Sequence, residues 1–274
     1  MGAYRLPTTG RDGVLRRSGN GLIRLLHVGD EEVVVRAWQS AGAVRFLGQG
    51  SSRQAAAEGV ERMRFALGVD HDLSAFHARF RRDPLIGPVI RARPWLRPRR
   101  RPEPFESLAW AICEQLIEGR RAAQIQRRIV RRHGRRSASG KLVAPPSAAW
   151  LARRSAAELD ACGLAPKRSI ALVRAAREVA SGRADLRRHE PSWARLRAIP
   201  NIGSWTVEML AFEGQGRDDQ LAALDLDYVK LVGLHAGLGR LATEEEVRSF
   251  FAPFEEYAGL AGLYAIQRLY SGLK

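Results

Sequence analysis

The chain has 274 residues, with 45 Lys and Arg against 29 Asp and Glu, a net charge of +16 and an isoelectric point of about 11.1. That length allows one large or two modest domains. The charge suits a polyanionic partner, nucleic acid or an anionic membrane face, unless the arginines serve only solubility. No segment approaches the roughly 18 uninterrupted apolar residues of a membrane span, and MGAYRLPTTGRDG lacks a charged-then-apolar signal pattern. A cytoplasmic, non-membrane protein is therefore expected.

Taken in chain order, residues 1–69 read as a small antiparallel-sheet α+β domain. Gly21–Val28, Glu32–Gln39 and Ala43–Gly48 carry β-branched or alternating apolar residues between Gly, Asp and Ser, and Ser52–Leu67 has helical periodicity behind a capping Ser. From residue 70 onward the pattern is helical, giving a mainly α fold: a helical bundle over 70–274 that carries the small sheet domain. Helices are expected at 71–82 and 84–92, followed by the Pro- and Arg-rich connector Arg93–Pro104, which cannot be a helix interior and either tracks phosphates or faces water. Phe105–His133 reads as one long helix or a helix pair with an apolar and an Arg-rich face. Gly134–Pro146 is polar loop, and further helices are expected from Pro146-Ser147 to about Leu159 and over 168–181.

The most informative stretch is Arg195–Lys230, RLRAIPNIGSWTVEMLAFEGQGRDDQLAALDLDYVK. Proline fixes φ and lacks a donor, while Gly and, less readily, Asn accept positive φ, so Pro200-Asn201-Ile202-Gly203 is a tight turn between two helices. The first amides of the second helix then point outward at the positive end of its dipole, a surface suited to phosphate. Asp225 and Asp227 precede the next helix, expected over Tyr228–Gly237, where either can act as an N-cap. Helices at Thr243–Phe251 and Glu256–Leu269 complete the chain, with Tyr257, Tyr264 and Tyr270 in or beside the last. The six histidines show no metal-ligand spacing, and Gly214-Gln215-Gly216 lacks the third glycine of a dinucleotide loop.

Pro200-Asn201-Ile202-Gly203-Ser204-Trp205-Thr206, followed by Asp225, resembles the helix-hairpin-helix (HhH-GPD) DNA glycosylases, most closely the bacterial 3-methyladenine DNA glycosylase II branch, which has Trp after the hairpin. Gln115-Leu116-Ile117 resembles that family's Gly-Gln-Leu-Val-Ser helix, with Glu114 and Glu118 as departures. Gly163-Leu164-Ala165-Pro166-Lys167-Arg168 is also similar, so the resemblance covers most of residues 70–270.

The resemblance implies a monofunctional glycosylase for base excision repair. It would flip a damaged, N-alkylated purine from double-stranded DNA and hydrolyse its glycosidic bond. The twenty residues from Trp205 to Asp225 match the spacing of the family's active-site aspartate, with Asp227 as the reserve. Such a carboxylate would stabilise a cationic sugar and assist water. Trp205, Met209, Trp110 and Tyr264 are the expected base-pocket residues, Met209 standing where relatives have an aromatic.

Expected DNA contacts are the hairpin residues Asn201, Ile202, Gly203, Ser204 and Thr206, together with Lys230, Gln115 and Leu116. Leu116 would be the wedge that fills the vacated stack, its alternative being ordinary core. Relatives often hold a structural cation at hairpin carbonyls, here those of Pro200 and Ile202. No catalytic metal and no cofactor is implied, since Cys113 and Cys162 are too few for a four-iron cluster. With Trp at 205 in place of the bifunctional branch's Lys, no Schiff base or lyase step is expected. A monomer is expected. The alternatives are a non-catalytic hairpin DNA-binding module and a glycosylase for deaminated or oxidised bases.

Overall fold

The structure, a computed structural model, describes residues 4–271. Near its start, Arg16–Ser18 (β1), Gly21–Val28 (β2), Glu31–Ser40 (β3) and Ala43–Gly50 (β4) form an antiparallel meander in the order β1-β2-β3-β4. Side chains alternate across a strand, so Val33, Val35 and Ala37 of β3 share one buried face. That face packs on Ala55, Met63 and Leu67 of Arg53–Leu67 (α1). The Ser52 hydroxyl accepts from the Ala55 amide at 3.1 Å and starts this helix as a capping serine should. Strand β1 is not among the expected strands, because Arg16-Arg17-Ser18 carries no apolar alternation and is held by backbone pairing to β2.

The remainder is helical. Ser74–Phe80 (α2) and Gly87–Ala92 (α3) lead through the connector to Pro104–Glu114 (α4) and Gly119–His133 (α5). Arg135–Arg136 (β5) and Val143–Ala144 (β6) pair within the stretch expected as loop, and Leu142 and Ala144 there cover Leu25 of β2. The helix expected up to Leu159 is two short ones, Ala148–Leu151 (α6) and Ala156–Asp160 (α7), because Ser155 and Glu158 form a capping box that restarts the chain. Pro166–Ala180 (α8), His189–Arg197 (α9) and Ser204–Met209 (α10) follow, the last continued by a π turn over Leu210–Gly214. Leu226–His235 (α11), Glu244–Phe251 (α12) and Ala258–Ser271 (α13) end the described chain.

These helices enclose two separate cores. One is built around α4, which is buried on every side from Phe105 to Cys113 and packs against α5, α8 and α10. The other gathers α2 and α3 with α11, α12 and α13, around Phe76, Phe251 and Tyr264. The second core therefore joins residues 73–90 to residues 221–265, and the chain between them forms the first core.

At its centre the connector does not face water. Arg100 pairs with Asp218 at 2.8 Å and Arg101 with Asp12 at 2.9 Å, both arginines being largely buried. Glu103 pairs with Arg62 of α1, and Arg24 of β2 with Glu106 of α4, which ties the sheet to the first helical core. Removing one partner of a buried pair such as Arg24–Glu106 would cost about 3–5 kcal/mol, since the other charge is left uncompensated.

Candidate active site

The hairpin is the join between α9 and α10. Helix α9 ends at Ala198-Ile199-Pro200, and the chain reverses with the Ile202 amide donating to the Ile199 carbonyl at 3.1 Å. Positive φ falls on Asn201, at 69°, while Gly203 is extended at −96°. Asn tolerates the left-handed region better than other non-glycine residues. At Gly203 no atom lies within 4 Å of where a Cβ would stand, so the backbone there is open to close approach. The amides of Gly203, Ser204, Trp205 and Thr206 have no acceptor among the described residues, as expected for the first turn of a helix. Nor is any donor among them hydrogen-bonded to the carbonyls of Pro200 or Ile202, which leaves both oxygens able to face a cation.

Three expected phosphate contacts are committed elsewhere. The Ile202 amide closes the turn. The Thr206 hydroxyl is buried and accepts from Gln115 Nε2 at 2.8 Å, and the same Gln115 nitrogen donates to the Asn201 carbonyl at 2.8 Å. Gln115 thus braces the hairpin from behind and turns its amide inward. Ser204 is half-buried at the head of α10, and Lys230 is exposed on α11.

Gln115 itself sits in the break between α4 and α5. Apolar periodicity runs through this stretch, yet the helix stops at Glu114. Arg168, the arginine of the Gly-Leu-Ala-Pro-Lys-Arg segment at the head of α8, donates from Nη1 to the carbonyls of Cys113 and Gln115, each at 3.0 Å. A cation there satisfies the terminal carbonyls of α4 and opposes the negative end of its dipole. The next residue, Leu116, is fully exposed and has φ of 53°. It is therefore no core residue. Glu114, just before the turn, is pushed up to about 7, chiefly by burial and then by the charge of Glu213, against the hydrogen bond from Gln126.

Asp225 is half-buried ahead of α11. Its Oδ1 accepts from the Asp227 amide at 3.0 Å, so it is an N-cap. Its Oδ2 accepts from Trp205 Nε1, also at 3.0 Å. Capping uses one oxygen only, and the indole aims the other toward the hairpin helix. Asp227 accepts from the Tyr270 hydroxyl at 2.6 Å, and that bond is the main reason the Tyr270 pKa is raised.

Trp205 and Met209, one turn apart on α10, are both half-buried. Trp110 and Tyr264, expected as pocket walls, are core residues instead. The Trp110 indole lies in the first core and donates to Asp12 at 3.1 Å, while Tyr264 lies in the second, its hydroxyl 2.9 Å from His77 Nε2 and 3.1 Å from the Leu96 carbonyl it donates to. In their place the surface beside the carboxylates carries Tyr270 from α13 and the leucines flanking Asp225, Leu224 and Leu226, all well exposed. The repeat Leu224-Asp225-Leu226-Asp227 was the available signal for the leucines. Tyr270 meets Asp227 only across 43 residues and has no local signal.

A chain of contacts therefore unites the parts: exposed Leu116 beside Gln115, Gln115 on the hairpin, and Trp205 on Asp225. No protein-family model and no curated protein matches the chain. Solved structures do match. A 3-methyladenine DNA glycosylase from Archaeoglobus fulgidus superposes with a TM-score of 0.77 at 19% identity, covering 94% of this chain and 90% of that one. An 8-oxoguanine glycosylase/lyase from Clostridium acetobutylicum, in complex with double-stranded DNA, gives 0.75 at 16% identity over 96% and 89%. The Schizosaccharomyces pombe 3-methyladenine DNA glycosylase bound to abasic DNA gives 0.54 at 24% identity over 63% and 84%. With its hairpin packed on the first helical core beside Asp225 and its small antiparallel sheet, the chain has the fold of the helix-hairpin-helix DNA glycosylases.

Proposed function

We propose that this protein is a monofunctional DNA glycosylase of base excision repair, acting as a monomer without a cofactor on double-stranded DNA. It extrudes an N-alkylated purine and hydrolyses the bond from base to sugar, leaving an abasic site. The observation that carries this reading is the Trp205–Asp225 hydrogen bond, which holds a half-exposed carboxylate at the hairpin.

The open amides from Gly203 to Thr206 grip a backbone phosphate, helped by Lys230, and the carbonyls of Pro200 and Ile202 can hold a cation against it. Leu116 enters the stack as the nucleotide leaves. The sugar then lies against Asp225, which stabilises positive charge at the anomeric carbon and orients water. No amine stands at position 205 to attack the sugar, so the reaction ends at hydrolysis.

The A. fulgidus and C. acetobutylicum enzymes superpose almost equally well, so the choice of lesion rests on the surface around Asp225. Two carboxylates, Asp225 and Asp227, stand beside the rings of Trp205 and Tyr270. Negative charge and aromatic faces favour a cationic base, which is also a good leaving group without acid help. An oxidised or deaminated purine is the second reading, supported by the C. acetobutylicum similarity.

The test is to incubate the protein with methylated, oxidised and deaminated duplexes and to examine the strands with and without alkali. Breaks only after alkali, on the methylated duplex, are expected. No alkali-labile sites on any duplex would leave a non-catalytic DNA-binding module, and breaks without alkali would refute the monofunctional assignment.

A further inference from the structure

A second site lies where the N-terminal segment and α1 meet the connector. A cavity of about 420 Å³ is lined there by six arginines, Arg5, Arg24, Arg97, Arg99, Arg100 and Arg101, with Met63 and Trp95 among its apolar walls. Three of these cations are compensated: Arg24 by Glu106, Arg100 by Asp218 and Arg101 by Asp12. Arg5, Arg97 and Arg99 have no ion pair with any described residue. Arg97 reaches only the carbonyls of Pro94 and Leu96, and burial pulls its pKa down. The Nε atoms of Arg24 and Arg97 are buried without an acceptor, and that of Arg101 has only Glu213 Oε2, at 3.6 Å. Arg5 lies over the Trp95 ring, 3.9 Å from its centroid.

Of the three arginines without an ion pair, Arg5 and Arg99 are exposed and Arg97 is half-buried, and a partly desolvated guanidinium such as that of Arg97 gains from an acceptor-rich anion whose geometry its planar fork matches, phosphate best. The volume is that of a small-molecule site and well beyond what a bare phosphate fills. Arg5 stacks on Trp95, so a base bound against that ring would displace the Arg5 side chain, which is itself exposed. A cationic N-alkylpurine would be repelled, so this is not the base-receiving surface beside Asp225. We propose that the cavity binds a phosphorylated nucleoside, with the phosphate on Arg97 and Arg99 and the base against Trp95. The ligand is either a free mononucleotide or the 5′-phosphorylated end of a DNA strand, both of which carry a terminal phosphomonoester.

Calorimetric titration of the full chain tests this, using deoxyadenosine monophosphate, deoxyadenosine, inorganic phosphate, and short duplexes ending in 5′-phosphate or 5′-hydroxyl. Saturable mononucleotide binding is expected, with phosphate alone at least tenfold weaker and the nucleoside silent. The double variant R97Q/R99Q should lose at least tenfold in affinity. R120Q/R187Q, which removes the same charge from strongly exposed positions, should lose less than twofold. Melting curves of each variant confirm that it is folded. Mononucleotide binding without preference for a 5′-phosphorylated duplex assigns the site to a free nucleotide, and a tenfold preference for that duplex assigns it to a strand end. Absence of both, or equal loss in the two double variants, overturns the proposal. Excision activity is not the readout, so the outcome is independent of the glycosylase reading.

Discussion

Two helix-to-helix turns meet at the candidate site, and each bends through one non-glycine residue in the left-handed region. At the hairpin that residue is Asn201, φ 69°, whose short polar side chain suits the conformation. At the end of α4 it is Leu116, φ 53°, fully exposed. Such a backbone costs of order 1–3 kcal/mol for an ordinary residue, and a leucine in water recovers nothing by burial. The hairpin turn is thus explained by the fold it serves. The Leu116 turn is not accounted for by any contact within the described chain, and the wedge role proposed for Leu116 would give it one.

The deepest break separates the chemistry from both turns. Asn caps a helix as well as Asp but has a single acceptor oxygen, so Asp225→Asn keeps the cap, loses the Trp205 hydrogen bond, and should cost about 1–2 kcal/mol while still binding duplex DNA. Its single-turnover excision should fall by at least about 10²-fold. Wild-type excision by this variant would remove Asp225 from the mechanism and bring forward Asp227.

The comparison is tested next by placing glycine at each turn. Leu116→Gly should stabilise the fold by about 1 kcal/mol while lowering excision roughly tenfold or more, because strain and wedge disappear together. Asn201→Gly should change stability by no more than a few tenths of a kcal/mol and leave excision near wild type. Equal excision by the two variants, measured under single-turnover conditions, would dissolve the distinction between the turns.

The hairpin was legible because its information is local: Pro, Asn and Gly each restrict or permit φ in ways that need no distant partner. The strands around Gly21–Val28 were legible for the same reason, alternation being a property of neighbours. The stop at Glu114 was not. Its cause is Arg168, more than fifty residues away, capping carbonyls that the apolar period would have carried onward. Arg100 and Arg101 read as a solvated charge run because Asp218 and Asp12, which bury them, lie on other segments. The same holds for Trp110 and Tyr264, whose polar atoms find partners inside the cores. Residue type marked them as pocket candidates, and only packing could show them closed.

Gln115 joins the two turns, and its removal shows whether they act together. Gln115→Leu leaves the buried Thr206 hydroxyl without its donor and frees the Asn201 carbonyl, at a cost of about 1–3 kcal/mol. If the hairpin's grip is transmitted to Leu116 through this side chain, excision should fall further in Gln115→Leu than in Leu116→Ala, with DNA affinity also reduced. A loss of stability with unchanged excision and affinity would make Gln115 a structural brace alone.

The last expected effect concerns charge, and there too the turns differ, since uncharged Pro200 precedes Asn201 whereas Glu114 precedes Gln115 and Leu116. Burial, and then Glu213, raises Glu114 from 4.5 to about 7 in the folded chain. Below about pH 4.5 the carboxyl is neutral in both states and its contribution to stability is fully present. As pH rises through 7, the unfolded chain has already ionised while the folded one still holds the proton, so stability is progressively lost. Glu114→Gln keeps an oxygen for Gln126 and cannot ionise. Its denaturation midpoint relative to wild type should therefore be higher at pH 8 than at pH 5. Equal offsets at the two pH values would show that Glu114 titrates as an ordinary carboxylate, and that the α4 turn carries no charge burden the hairpin lacks.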